Sequence, residues 1–256
     1  MEQRDTFDTV ADLYGEARPG YPAALFEDLA TQFGLSSTSS VLEVGCGAGQ
    51  ATGDLAAWAA RVVAVDPGPR LIEEARRRVP SENVAFAVAH FEDFAPEPGA
   101  FDFVVSAQAW HWVDPVVGFP IAARALKTNG VLAIFGHVPL LPPEPCLSAF
   151  KIAYDTHLPG SWGSPPSQAA YLPSGPFARM IDQSGLFGAV THRSYDWTWA
   201  VDPDTFGRFM RTDSSYVGVP EVQRYALFDE LSAAIGDLGG VLEFPWETHL
   251  YVATRR

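Results

Sequence analysis

The stretch VLEVGCGAGQ, residues 41 to 50, constrains the fold of this chain more than any other. An apolar run from Val41 to Val44 reads as a strand. Glycines then recur at every second position, Gly45, Gly47 and Gly49, before a helix-like segment from Thr52 to Ala60. A strand that ends in glycines ahead of a helix exposes main chain to a ligand where side chains would block the approach. Glu43 is the awkward residue, an acid inside an otherwise apolar strand.

The same strand-then-helix alternation continues through the first two thirds of the chain. Strand candidates are Val41 to Val44, Arg61 to Val65, Asn83 to Val88, Phe101 to Ser106 and Val131 to Phe135. Helical stretches fit between them at Thr52 to Ala60, Pro69 to Arg78 and Pro115 to Leu126, the last followed by Asn129-Gly130 as a stop signal. This pattern predicts an α/β fold, a parallel sheet covered on both faces. From His137 to Pro176 prolines and glycines interrupt regular structure, yet Phe150, Tyr154 and Trp162 fall among them. Such a segment reads as an inserted cap, because a disordered spacer carries few aromatics. A helix from Phe177 to Ser184, a strand from Val190 to Trp199, helices at Pro203 to Arg211 and Glu221 to Ile235, and a strand from Glu247 to Thr254 complete the expectation. One domain over residues 1–256 is expected, with cap insertions at about 139–176 and 201–237.

Charge narrows the partners. Seventeen basic against 31 acidic side chains give a formal charge of −14, which repels phosphate backbones and anionic membranes. No nucleic acid and no membrane are expected as partners, and a monomer or homodimer is. The opening MEQRDTFDTV lacks the regions of a signal peptide, and the apolar run VLAIFG falls far short of the roughly 18 residues of a membrane span. A cytosolic, reduced setting follows. Cys46 and Cys146 are too few for a disulfide framework or a zinc site, so no metal is expected.

The loop itself discriminates between cofactors. A dinucleotide fingerprint starting at Gly45 and Gly47 requires a glycine or alanine where this chain has Gln50. Glu43 also disfavours a pyrophosphate, so a ligand with cationic groups suits the loop better. S-adenosylmethionine carries a sulfonium and an ammonium and no phosphate. A second acid, Asp66, ends RVVAVD 21 positions beyond Gly45, close to the roughly 20-residue spacing that sets a carboxylate on ribose hydroxyls. Glu92 and Asp93 follow the third strand in HFEDF, where they can face an adenine amine or simply a solvated turn.

The stretches VLEVGCGAGQAT, VVAVDPG, HFEDF and FDFVVSAQAWHWVD, in this order and spacing, resemble the class I S-adenosylmethionine-dependent methyltransferases. The resemblance is to the branch that includes trans-aconitate methyltransferase and the type 11 methyltransferases. It extends to YGEARPGYP near the start and WETHLYVATRR at the end. It implies a Rossmann-like seven-stranded sheet of order 3-2-1-4-5-7-6 with the last strand antiparallel, helices on both faces and a helical cap. It also implies that Gly45, Gly47 and Gly49 cradle the cofactor, that Asp66 holds its ribose, and that Glu92 and Asp93 lie beside the adenine. The segment up to about residue 22 is implied to fold over the cofactor as a lid, with Tyr14 and Arg18 near its methionine end. The chain departs from many relatives at Gly136-His137, where they carry tryptophan and asparagine.

Methyl transfer from a sulfonium requires a nucleophile held in line, about 3–3.5 Å from the methyl carbon, with water excluded. SAQAWHWVD leaves the fourth strand at its carboxyl end, where open α/β sheets bind ligands. Gln108 is therefore expected at the methionine portion. Trp110, His111 and Trp112 are expected to wall the acceptor, with packing against the following helix at least as good a reading for Trp112, and with His111 as candidate general base or as a structural residue. Tyr21, His137, Trp162, Phe209, Arg211 and Tyr216 complete the candidate acceptor lining. The leading expectation is methylation of a small molecule with release of S-adenosylhomocysteine, the acceptor being a carboxylate or an aromatic O-, N- or S-nucleophile. A non-catalytic cofactor-binding module is the alternative, and a nicotinamide oxidoreductase stands further off because of Gln50 and Glu43.

Overall fold

The computed structural model describes residues 17–163, 167–216 and 218–256. Its centre is a seven-stranded sheet of order β3-β2-β1-β4-β5-β7-β6. The strands are β1 (Ser40–Val44), β2 (Arg61–Asp66), β3 (Val84–Val88), β4 (Phe101–Ala107), β5 (Leu126–Pro139), β6 (Thr191–Val201) and β7 (Leu242–Thr254). The first five pair in parallel, and β7 runs antiparallel to both β5 and β6. The helices are α1 (Ala23–Phe33), α2 (Thr52–Trp58), α3 (Pro69–Arg78), α4 (Pro115–Ala125), α5 (Cys146–His157), α6 (Phe177–Ser184), α7 (Pro203–Arg211) and α8 (Glu221–Asp237).

Alternation along β1 feeds both faces of the sheet. Val41 joins a cluster with Leu25 and Leu29 of α1, Leu55 of α2, and Phe103, Phe135 and Leu250. Leu42 and Val44 join the opposite cluster with Phe119 of α4, Phe177 and Ile181 of α6, and Ile134. A central parallel strand covered on both sides buries Glu43. A third cluster joins Phe150 of α5, Phe206 and Phe209 of α7, Phe228 and Leu231 of α8, and Phe244 and Trp246 of β7.

Two helices lie outside the elements expected from sequence. In α1, Leu25, Phe26 and Leu29 are buried at helical spacing, and Gly34 ends the helix at φ 84° with its amide on the Ala30 carbonyl. Helix α5 follows directly on Pro145, where a proline-rich approach hides a regular element. Asn129 does occupy a left-handed turn, at φ 61°, but inside β5, because α4 already ends at Ala125.

Candidate active site

At the carboxyl ends of β1, β2, β4 and β5 lies one cavity, lined by parts of nearly every segment singled out in the sequence. Beneath it the glycine loop turns sharply. Gly45 and Cys46 both donate to the Val65 carbonyl, and Gly45 sits at φ 72° with Ala109 pressed so close that a Cβ would lie 2.2 Å from the Ala109 Cβ. Only glycine satisfies that contact and that φ together. Gly47 also lines the cavity, at φ 53°. Gly49 is not part of the lining, and its missing Cβ is directed at Ala75 of α3 and at Val79 just beyond that helix. Its expected place in the cradle is therefore corrected to helix packing.

Asp66, at the tip of β2, is the acid best fixed in the cavity. Its Oδ2 accepts the Gly47 amide and its Oδ1 the Gly68 amide, both at 2.9 Å. The carboxylate thereby clasps the glycine loop while it remains part of the cavity wall. Glu43 lines the cavity floor without any solvent exposure. Thr52 donates its hydroxyl to Oε2 at 2.6 Å, whereas Oε1 is buried with no partner. Desolvation raises the Glu43 pKa from 4.5 to about 7, with Asp66 adding like-charge repulsion. An acid in a strand is ordinarily a plain anion; burial makes Glu43 one that ionises only near neutral pH.

Beyond Asp66 the wall continues through Leu71, His90, Phe91 and Glu92. Glu92 accepts the Asp114 amide at 3.1 Å, and Asp114 in turn caps α4 through the Val116 amide. Asp93, expected beside Glu92, is not part of the lining. The short turn Phe91–Asp93 sends consecutive side chains in different directions.

The other end of the cavity is built by the 17–22 segment, β5, β7 and the turn Trp110–Trp112. His137 is locked on both ring nitrogens, Nε2 against the Gly20 carbonyl at 3.1 Å and Nδ1 against the Thr248 hydroxyl at 2.8 Å. A carbonyl only accepts, so Nε2 carries the proton and Thr248 donates to Nδ1. Trp197 then donates to the Thr248 oxygen at 2.9 Å. Burial holds the His137 pKa down at about 3, so the ring is neutral. Tyr21 stacks on it with centroids 4.2 Å apart. Arg18 donates from Nε and Nη2 to the hydroxyl and carbonyl of Thr212, and its guanidinium lies 5.0 Å from the Phe209 ring centre. Both His137 and Arg18 thus tie the 17–22 segment down over the sheet.

Gln108 lines the cavity, but its amide is spent on the main chain of His137, accepting the N–H at 2.6 Å and donating to the carbonyl at 3.3 Å. His111 lines the cavity as well, with Nδ1 3.2 Å from the Tyr171 hydroxyl. Desolvation lowers its pKa to about 4.

Several expected acceptor residues lie elsewhere. Trp110 is 1% exposed and packs between Phe91 and Phe119 in the core, while its neighbours His111 and Trp112 reach the cavity. Trp162 packs on Tyr154, and Tyr216 bonds the Tyr154 hydroxyl and meets Phe228 edge-on. Arg211 pairs with Asp229 at the surface of α7 and α8. All four are corrected from cavity lining to packing or surface contacts. Tyr14 lies outside the described residues. Thr52, His90, Gln168 and Trp246 belong to the site without having been singled out. Among the described residues no group of three His, Cys, Asp or Glu side chains is placed to hold a metal ion, and no helix is long and apolar enough to cross a membrane.

Strand order, the antiparallel β7 and the glycine-lined cavity at the carboxyl ends define the Rossmann-like fold of the class I methyltransferases. Within it, residues 42–134 match the type 11 family described as a methyltransferase domain. Over 129 residues, 50% of this chain and 51% of the relative, the chain is 33% identical to an uncharacterized methyltransferase of Mycobacterium tuberculosis. Over 124 residues, 47% of this chain and 46% of the relative, it is 36% identical to the trans-aconitate 2-methyltransferase of Enterobacter sp. (strain 638). The chain spans about half the length of the curated relatives it matches. The phosphoethanolamine N-methyltransferase 2 of Haemonchus contortus, solved with S-adenosyl-L-methionine, superposes with a TM-score of 0.59. That match covers 100% of this chain and 60% of the other at 16% identity, and it shows a shared fold.

Proposed function

We infer that this chain transfers the methyl group of S-adenosylmethionine to a small-molecule acceptor. The observation that carries the reading is the pair of acids in one glycine-lined cavity, Asp66 clasping the loop and Glu43 with an unpartnered buried oxygen. A buried acceptor without a donor costs about 1–3 kcal/mol, a deficit that a ligand with an ammonium group removes. The donor set therefore fits the cofactor. Asp66 holds its carboxylate in the cavity wall at the tip of β2, where ribose hydroxyls would meet it, and Glu92 and His90 flank the space where the base belongs. Bound there, the cofactor supplies a methyl group on a positively charged sulfur.

The chain's own residues then orient and dehydrate. Arg18, Tyr21 and His137 hold the 17–22 segment across the cavity as part of a lid, and α5, α7 and α8 form a cap beside it. His111, its basicity weakened by burial, lines the acceptor end as a hydrogen-bonding group and at most a weak proton acceptor. This favours an acceptor that arrives already nucleophilic, as a carboxylate does, over a phenol or alcohol that must first lose a proton. Incubation with methyl-tritiated cofactor and a panel of acids, phenols, thiols and amines tests the reading. Label in a product, with stoichiometric S-adenosylhomocysteine, is expected. Tight cofactor binding with no label in any acceptor would instead favour a non-catalytic binding module.

A further inference from the structure

We propose that Tyr171 is a positioning residue for methyl transfer: its hydroxyl donates to Nδ1 of His111 and so fixes the imidazole with its proton on Nε2, as an N–H donor toward the acceptor. The inference rests on the methyl-transfer reading, because it assigns the end of the cavity beside His111 to an acceptor.

The two rings meet edge to face with centroids 5.6 Å apart, and the Tyr171 hydroxyl lies 3.2 Å from Nδ1. Tyr171 is fully buried and forms no part of the cavity wall, whereas His111 is half-buried and does. The two nitrogens of an imidazole point in widely divergent directions, so an Nδ1 turned toward the core turns Nε2 away from it. Among the described residues no hydrogen-bond partner meets Nε2, and it is not one of the enclosed polar atoms.

The packing around Tyr171 delivers its hydroxyl to that one place. The Tyr251 hydroxyl of β7 lies 2.9 Å from the Tyr171 carbonyl and 2.8 Å from that of Leu172, which ties the short turn Ser167–Tyr171 to the sheet. Phe177 of α6 packs on the ring at 4.8 Å. Gly136 of β5 leaves the ring its room, since a Cβ there would lie 2.7 Å from it.

The direction of the bond follows from the partners. A phenol is a stronger donor than an imidazole N–H, and a bare imidazole nitrogen is a stronger acceptor than a phenol oxygen, so the pair settles as O–H···Nδ1. A neutral imidazole carries one proton, and the bond at one nitrogen decides that the other holds it. Desolvation lowers the His111 pKa to about 4, which leaves the ring neutral near pH 7. The acids of the same cavity, Glu43, Asp66 and Glu92, accept from Thr52, from the Gly47 and Gly68 amides, and from the Asp114 amide. They offer lone pairs; an Nε2–H offers the opposite, a donor for an acceptor oxygen. It also leaves His111 no lone pair there with which to take a proton, in keeping with an acceptor that arrives already nucleophilic.

The test reads the tautomer directly, from long-range ¹H–¹⁵N spectra of the ¹⁵N-histidine-labelled full chain saturated with S-adenosylhomocysteine near pH 7. His111 is the signal that His111→Gln removes. The wild-type chain is expected to show the Nε2–H pattern. Tyr171→Phe keeps the ring and removes the hydroxyl, and it is expected to shift the tautomer ratio toward Nδ1–H by about 2- to 10-fold while S-adenosylhomocysteine binds as before. A wild-type His111 with its proton on Nδ1 overturns the proposal, and so does an unchanged ratio in Tyr171→Phe. The wild-type pattern decides even where Tyr171→Phe does not fold. Failure of S-adenosylhomocysteine to bind the wild-type chain strikes the methyl-transfer reading instead.

Discussion

The side-chain amide of Gln108 pairs with the main chain of His137 as a neighbouring strand residue would, one bond in each direction. Gln108 reaches this position at φ 57°, a left-handed conformation that costs a residue with a Cβ about 1–2 kcal/mol. Between the two partners runs Gly136, where a Cβ would lie 2.5 Å from the Gln108 Oε1 and 2.7 Å from the Tyr171 ring. The Gly136-His137 pair is therefore a matched local solution: a bare residue admits the clamp, and the next residue accepts it.

Gly136→Ala is expected to destabilise the protein by about 1–3 kcal/mol, since neither the clamped amide nor the buried Tyr171 has room to yield. Urea denaturation measures it. An unchanged midpoint would show that the clamp is slack.

Glu43 gives a signature in pH. Its folded pKa is raised to about 7 from 4.5, so the protonated form is the one folding favours, and that contribution is complete below pH 4.5. As pH rises from 4.5 to 7 the unfolded chain ionises first and stability falls, by roughly 3 kcal/mol at about 1.4 kcal/mol per tenfold change in proton concentration. Above 7 the contribution is level. Stability of the wild-type chain measured against Glu43→Gln should diverge across that window and run parallel beyond it. Curves that stay parallel throughout would mean that Glu43 is ionised at its usual pH.

His111 makes the opposite prediction for activity. With its pKa held at about 4, no rate limb between pH 6 and 8 should belong to it, and His111→Ala should lower turnover without reshaping the profile. A limb near pH 6.5 that vanishes in the variant would restore general-base catalysis.

What was legible in the sequence was local. The five parallel strands and Asp66 announce themselves through apolar runs and one acid at a fixed distance from a glycine loop, and both properties survive folding unchanged. Trp110 and Trp112 exchange roles because a three-residue turn has no periodicity from which to read direction. Arg211, Trp162 and Tyr216 depend on how α5, α7 and α8 pack against one another, which no local pattern records. The Gln108–His137 clamp joins residues 29 apart through a conformation that the residue type disfavours. Helix α1 did carry a local signal, in Leu25, Phe26 and Leu29 ahead of Gly34. A reading organised around strands passes over it.

The most direct measurement is a calorimetric titration of S-adenosylhomocysteine into the full chain and into Asp66→Asn, which keeps an oxygen for the Gly47 or Gly68 amide and removes the charge. Saturable binding at one site is expected, weakened by about 1.5–3 kcal/mol in the variant while the fold is retained. No binding by a folded sample, or equal affinity in Asp66→Asn, would contradict a cofactor whose ribose rests on Asp66.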